Sequence, residues 1–256
     1  LETNDYDVSS LRRIPVGGSA APRALIEDFE KKLGVEIVHA WGMTEMTPLG
    51  TFNTLKPGML DLPQDELIRI QTKQGRGVCG VEMKITDDGN NDLPWDGKAV
   101  GTLKVRGPWV CNGYFGGEKA HIDGDGWLDT GDVATIDPEG FMFITDRTKD
   151  VIKSGGEWIS SITLENTAVD HPQVVEAAVI GVIHSKWGER PLLIVVRQLG
   201  ADFDKTAMLS WFDGKVAKWW IPDDVVFVDE LPHTATGKIR KVELREQFHD
   251  YELPSA

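Results

Sequence analysis

The chain has 256 residues, with 27 Lys and Arg against 41 Asp and Glu, for a net charge of −14. That balance argues against nucleic acid or an anionic membrane as a main partner, so any anionic ligand must rely on a few local cations and backbone amides. Cys79 and Cys111 form no CxxC pair and read as free thiols in a reducing, cytoplasmic compartment, and no apolar run reaches the length of a transmembrane segment.

A chain that is 41% hydrophobic with nine tryptophans buries a core, as one large domain or two smaller ones. Residues 1–60 read as α/β. Pro22 sits at a helix start, Leu25, Ile26, Phe29 and Leu33 share one face, and Gly34 stops the helix. Val35 to His39 is a short strand leading into Trp41-Gly42-Met43-Thr44-Glu45, read as a loop at the strand's C-terminal end, where α/β sheets bind ligands. Residues 78–145 change character: Thr102-Leu103-Lys104-Val105-Arg106 alternates polar and apolar, and Asp88-Gly89, Asp96-Gly97, Gly116-Gly117 and Asp125-Gly126 mark close-spaced turns. This is a small β subdomain, ending in a hairpin around Asp137-Pro138-Glu139-Gly140. Beyond Val151 strands and helices mix, with strands at Val174–Ile183, Leu192–Val196 and Val225–Val228. Helices are expected at Ile162–Val169, Lys205–Val216 and Val242–Phe248.

Several motifs point to chemistry. A flat indole at Trp41 beside Gly42 can stack on a purine, and Glu45 can hold Mg²⁺ next to phosphates. The competing reading is a buried tryptophan and a solvated loop glutamate. Asp132 offers two acceptor oxygens that suit vicinal hydroxyls, and Arg147 a forked donor; the alternative is a surface ion pair of little energetic weight. Gly237-Lys238 fails as a Walker loop, because Pro232 and Ile239 stand where that motif needs glycine and Ser/Thr. His39, His121, His171, His184, His233 and His249 show no clustered ligand spacing, and no GxSxG occurs.

Four blocks in order carry a resemblance: Val16-Gly17-Gly18-Ser19-Ala20-Ala21-Pro22, Trp41-Gly42-Met43-Thr44-Glu45, the stretch Gly126 to Ser160, and Pro232-His233-Thr234-Ala235-Thr236-Gly237-Lys238. Together they resemble the AMP-forming acyl-CoA synthetases, in the superfamily shared with luciferases and peptide-synthetase adenylation domains. The resemblance implies the end of a large α/β N-terminal domain with a small β subdomain (residues 1–146), a hinge at 147–149 and a small α+β C-terminal lid domain (150–256). It implies ATP, Mg²⁺ and coenzyme A, and a carboxylic acid converted through an acyl-adenylate to the thioester, AMP and pyrophosphate.

By that resemblance Gly18, Ser19 and Ala20 meet the adenine edge, and Trp41, Gly42 and Met43 flank the base. Thr44 contacts the α-phosphate, Glu45 holds the metal, and Asp132 and Arg147 hold the ribose. Lys238 acts in adenylation, the Gly155-Gly156 face serves the step with CoA, and Lys153 and Trp158 are further cofactor-binding residues. Lys149 is the pivot. Members of the family are longer, so a missing N-terminal part of the same protein, carrying the triphosphate loop, is expected before Leu1, and this piece alone is expected to be inactive. A homodimer is a further partner the resemblance allows. The acyl group reads as a medium- or long-chain fatty acid, with a short-chain or thioether carboxylate as alternative, and Gly42, Met43, Met46 and Pro48 as local contributors to its pocket. The rival functions are another adenylate-former, or a non-catalytic nucleotide-binding fragment.

Overall fold

The computed structural model describes residues 6–18, 20–115, 121–234 and 237–254. The chain divides into two compact units, Leu1–Ile144 and Thr145–Ala256. The expected break after Asp146 lies slightly earlier, because Thr145 and Asp146 already bond into the second unit. The Thr145 carbonyl accepts from Ser160 Oγ, and Asp146 Oδ2 accepts from the Ser161 amide at 2.5 Å.

In the first unit, β1 (Arg13–Val16) and β2 (Glu36–Gly42) are parallel, with α1 (Arg23–Leu33) as the connection. Gly34 at φ 65° ends α1, and the amides of Gly34 and Val35 close back on the carbonyls of Glu30 and Phe29. Ile26 on the helix face is fully buried with Ala21 and Ile37. Strands β3 (Leu49–Phe52) and β4 (Arg76–Gly77) extend this sheet in antiparallel fashion, and α2 (Gln64–Gln71) connects them. A second sheet follows, in the order β5 (Glu82–Thr86), β6 (Gly101–Arg106), β7 (Leu128–Ile136), β8 (Met142–Arg147). Along β6 every second residue is buried, so Leu103 and Val105 join Ile85, Leu128 and Ile136 in one core. The β7–β8 turn is fixed by Asp137, whose Oδ1 accepts from the amides of Glu139 and Phe141.

The second unit is one mixed sheet with a core on each face. Its strands are β9 (Ile152–Ser154), β10 (Glu157–Ile159), β11 (Val174–His184), β12 (Gly188–Arg197) and β13 (Asp224–Val228). They lie in the order β10-β9-β12-β11, with β13 parallel to β12. Leu193 and Val195 of β12 face the core under α3 (Ser161–Val169) and α4 (Lys205–Ser210). Leu192 and Ile194 face the opposite core, which includes Leu244 of α5 (Lys241–Gln247). Helix α4 is half the expected length. After Ser210 the amides of Phe212 and Asp213 reach back only three residues, and Gly214 at φ 73° turns the chain away.

Candidate active site

The parallel pairing of β1 and β2 places two of the sequence blocks side by side. Val16 is in register with His39, so the Gly17-Gly18 turn leaves β1 beside Ala40, Trp41 and Gly42. A Cβ at Gly17 would lie 3.0 Å from the Ala40 carbonyl oxygen, and Gly18 turns at φ 84°. Both glycines are therefore needed for the turn itself. Ala20 is exposed next to it, while Ser19 lies outside the described residues.

Trp41 and Gly42 belong to β2, not to the loop after it, and the loop proper begins at Met43. The indole is 8% exposed and packs over Gly50, where a Cβ would meet the ring at 2.5 Å. Its Nε1 donates to Asp132 Oδ2 at 2.9 Å, although the two residues are 91 positions apart. Asp132 itself is buried in β7, and its amide is held by Thr130 Oγ1. The buried-tryptophan reading thus describes Trp41 here, but the burial joins it to the acid chosen for the ribose. Met46, expected near an acyl pocket, is a fully buried core residue against Gly50. Gly42 is obligatory, since a Cβ there would fall 1.8 Å from the Pro48 carbonyl oxygen.

Thr44 and Glu45 open a single 3-10 turn, with Thr44 exposed. Glu45 is fixed from two sides: its carbonyl accepts from the Cys111 amide at 2.7 Å, and Tyr114 Oη donates to its Oε1 at 2.6 Å. Tyr114 was not legible as a site residue; nothing local in Asn112-Gly113-Tyr114 signals a partner 69 positions away. Among the described residues no group of three His, Cys, Asp or Glu could hold a metal. One oriented carboxylate beside a hydroxyl suits Mg²⁺, which takes one or two carboxylates together with phosphates and waters, and does not suit a metal needing a full protein cage.

The remaining candidates fall in the second unit. Arg147 is exposed at the end of β8, and its amide donates to Asp146 Oδ1. Asp132 and Arg147 are in different units, so their common role is not carried by a contact within either one. Lys153 and Trp158 pair across the β9–β10 hairpin, the ammonium 5.1 Å from the ring centroid. Gly155 and Gly156 form the turn between them at φ 60° and 87°. A Cβ at Gly155 would press on Trp187 at 3.0 Å, whereas Gly156 borders open space. Beside this turn lies a groove of about 380 Å³ lined by Ser154, Gly155, Glu157, Trp187, Arg190 and Trp219. Arg190 holds its walls together, bonding Asp223, Ser154 Oγ and the carbonyls of Trp219 and Ile221.

Lys238 is exposed on a loop that is closed at its base. Thr234 and Lys238 exchange backbone and side-chain bonds, His233 pairs with Ile239, and the Arg240 amide donates to the Pro232 carbonyl. These bonds hold Thr234 and Lys238 against each other. Gly237 is needed for its φ of 79°.

Comparison with known proteins follows the same division. The chain matches the family model for AMP-binding enzyme over residues 1–115 and that for the AMP-binding enzyme C-terminal domain over residues 163–238. It is 54% identical to a 3-methylmercaptopropionyl-CoA ligase of Ruegeria lacuscaerulensis, over 95% of this chain and 45% of that protein. It is 50% identical to a medium-chain-fatty-acid CoA ligase of Ectopseudomonas oleovorans, over 99% of this chain and 46% of that protein. Among solved structures, o-succinylbenzoate CoA synthetase from Bacillus subtilis, in complex with its acyl-adenylate intermediate, superimposes with a TM-score of 0.81 at 31% identity, over 98% of this chain and 49% of that one. The chain spans about half the length of the curated relatives it matches. One family match lies within each of the two units, and the chain belongs to the AMP-binding enzymes.

Proposed function

We propose that the protein containing this chain joins a carboxylic acid to coenzyme A through an acyl-adenylate. The observation that carries this reading is the bond from Trp41 to Asp132, which ties an aromatic residue beside the Gly17-Gly18 turn to a carboxylate suited to a ribose. In the first step a carboxylate oxygen attacks the α-phosphorus of ATP and the bond to pyrophosphate breaks. In the second the CoA thiol, losing its proton, attacks the acyl carbon and AMP leaves.

Within this scheme Gly17 and Gly18 present backbone groups to the base, and Trp41 and Met43 bound it. Asp132 accepts from the ribose hydroxyls and Arg147 donates to the same sugar. Thr44 donates to the α-phosphate. Glu45, oriented by Tyr114, would hold Mg²⁺, which supplies charge neutralisation to the phosphates. Lys238 brings a compact cation to the charge that develops as the carboxylate attacks. The Gly155-Gly156 turn and the groove beside Trp187 take the pantetheine arm. Two successive chemistries require the second unit to present Lys238 first and this turn second, with Lys149 as the pivot.

For the acid, we infer an unbranched apolar chain. A thioether sulfur replaces a methylene with little change of shape, so a methylmercapto acid and a short alkyl acid present nearly the same surface. The relatives named for a thioether acid and for medium-chain fatty acids support one pocket of this kind. The test is ATP-pyrophosphate exchange and CoA thioester formation by the full-length protein, with acids of three to sixteen carbons and 3-methylmercaptopropionate. The reading predicts activity on straight apolar acids of short to medium length. Activity confined to aromatic or dicarboxylic acids would contradict it.

A further inference from the structure

In the second unit, a largely buried ionic cluster begins three residues after Lys238. There Lys241 opens α5 with its side chain turned inward, only 12% exposed. Its Nζ donates to Ser161 Oγ at 2.6 Å and pairs with Glu165 Oε1 at 2.7 Å. Glu165 also accepts from the Val179 amide of β11 at 2.7 Å. Ser161 in turn donates its amide to Asp146, which is fully buried and takes the Arg147 amide on its other oxygen. One turn later on α5, Arg245 pairs with Asp150. Two cations spaced i and i+4 on one helix face thus bind two carboxylates of the segment that begins the unit.

Isolated buried carboxylates are costly; here Glu165 is paired directly with the ammonium, and Asp146 is linked to it through Ser161. Burial pushes both the Asp146 and Glu165 carboxyls above the ordinary range, and Lys241 is the group that draws each back down. Such an arrangement is held in one geometry, because displacing the ammonium leaves two buried acids without their counter-charge. The Lys238 loop is short and closed on itself. Its exit leads through Ile239 and Arg240 into Lys241, and its entrance is tied to β11 by His233 Nε2 and Glu176 Oε1 at 3.0 Å. The direction in which Lys238 projects is therefore set by where Lys241 is held.

We propose that Lys241 is a positioning residue for Lys238: through Glu165, Ser161 and Asp146 it fixes the base of the lysine loop, so that Lys238 reaches the reacting phosphate. This deepens the function proposed above and rests on Lys238 acting in adenylation. A displacement of about 1 Å at a reacting group can cost on the order of 100-fold in rate, so losing the cluster affects the turnover of one step rather than substrate affinity.

The experiment uses the full-length protein with Lys241→Met, Lys241→Arg, Glu165→Gln and Lys238→Ala, measuring pyrophosphate exchange and, separately, thioester formation from synthetic acyl-adenylate and CoA. Lys241→Met is expected to lower the kcat of adenylation about 10- to 100-fold, with KM for ATP and thioester formation changed less than about threefold. Lys241→Arg, which keeps the charge, should recover most of the loss. Equal loss in both steps, or no loss, overturns the proposal. Should Lys241→Met fail to fold, Glu165→Gln, which keeps an acceptor without the charge, must show the same selective loss; unchanged adenylation there also overturns it. Lys238→Ala separates the two levels. If that variant keeps normal adenylation, the role given to Lys238 fails; if it loses adenylation while Lys241→Met and Glu165→Gln do not, only the positioning role fails.

Discussion

At the scale of single residues, Trp41 carries two duties. It fills the core over Gly50, and it donates the hydrogen bond that orients Asp132. Trp41→Phe keeps most of the apolar volume but removes the donor from a buried carboxylate, at a cost of about 1–3 kcal/mol. In the full-length protein the expected result is lowered stability in urea unfolding together with a raised KM for ATP. A stability loss with unchanged KM would reduce Trp41 to a core residue. The resemblance sets Trp41 and the Gly17-Gly18 turn around one base, but the parallel pairing of β1 with β2 that makes them neighbours is not visible in the local pattern. The bond to Asp132 was not legible either, because nothing in the sequence pairs positions 91 residues apart. Tyr114 escaped notice for the same reason.

At the scale of elements, helix α1 was readable because its signals are local: Pro22 before it, Ile26 and Phe29 on one face, Gly34 after it. Helix α4 was overextended because Trp211 and Phe212 continue the apolar pattern while the backbone tightens into turns toward Gly214. Helix α5 shows both sides. Its apolar face was visible in Val242–Phe248, but a lysine followed four positions later by arginine suggests a solvated face, and only the tertiary fold reveals the three partners behind it, Ser161, Glu165 and Asp150. The cluster predicts a pH dependence. Asp146 and Glu165 have raised carboxyl pKa values in the folded state, so their contribution favours folding at low pH and weakens as pH rises through those values. Lys241 counteracts that weakening. Lys241→Met should thus lower Tm, relative to the parent protein at the same pH, more at pH 8 than at pH 5; an equal loss at both would contradict the ionic account. The turn after β8 gives a second test. The amides of Asp150 and Val151 both donate to the Arg147 carbonyl, while Lys149 sits exposed in the turn these bonds close. Proline at Lys149 fixes φ near −65° and spares both bonds. Lys149→Pro is expected to make acyl-adenylate while passing it slowly to CoA, measured as separate half-reactions. Equal effects on both steps would remove Lys149 as the pivot.

At the scale of the molecule, the proposed function leaves the handling of ATP, in a chain of net charge −14, to a few placed groups, and the two units supply different ones. The first holds Trp41, Glu45 and Asp132; the second holds the Gly155-Gly156 turn and the closed Lys238 loop. The central claim is that the second unit serves two chemistries with separate residues. At about 4 Å and an effective dielectric near 20, an ammonium interacts with a unit negative charge by roughly 4 kcal/mol. Even half of that, felt only in the transition state, is worth more than about tenfold in rate. The most direct measurement is Lys238→Ala in the full-length protein, assayed for adenylate formation and, with synthetic acyl-adenylate and CoA, for thioester formation. The account predicts that adenylate formation falls by several orders of magnitude while thioester formation stays near the parent rate. A comparable fall in both steps would contradict it.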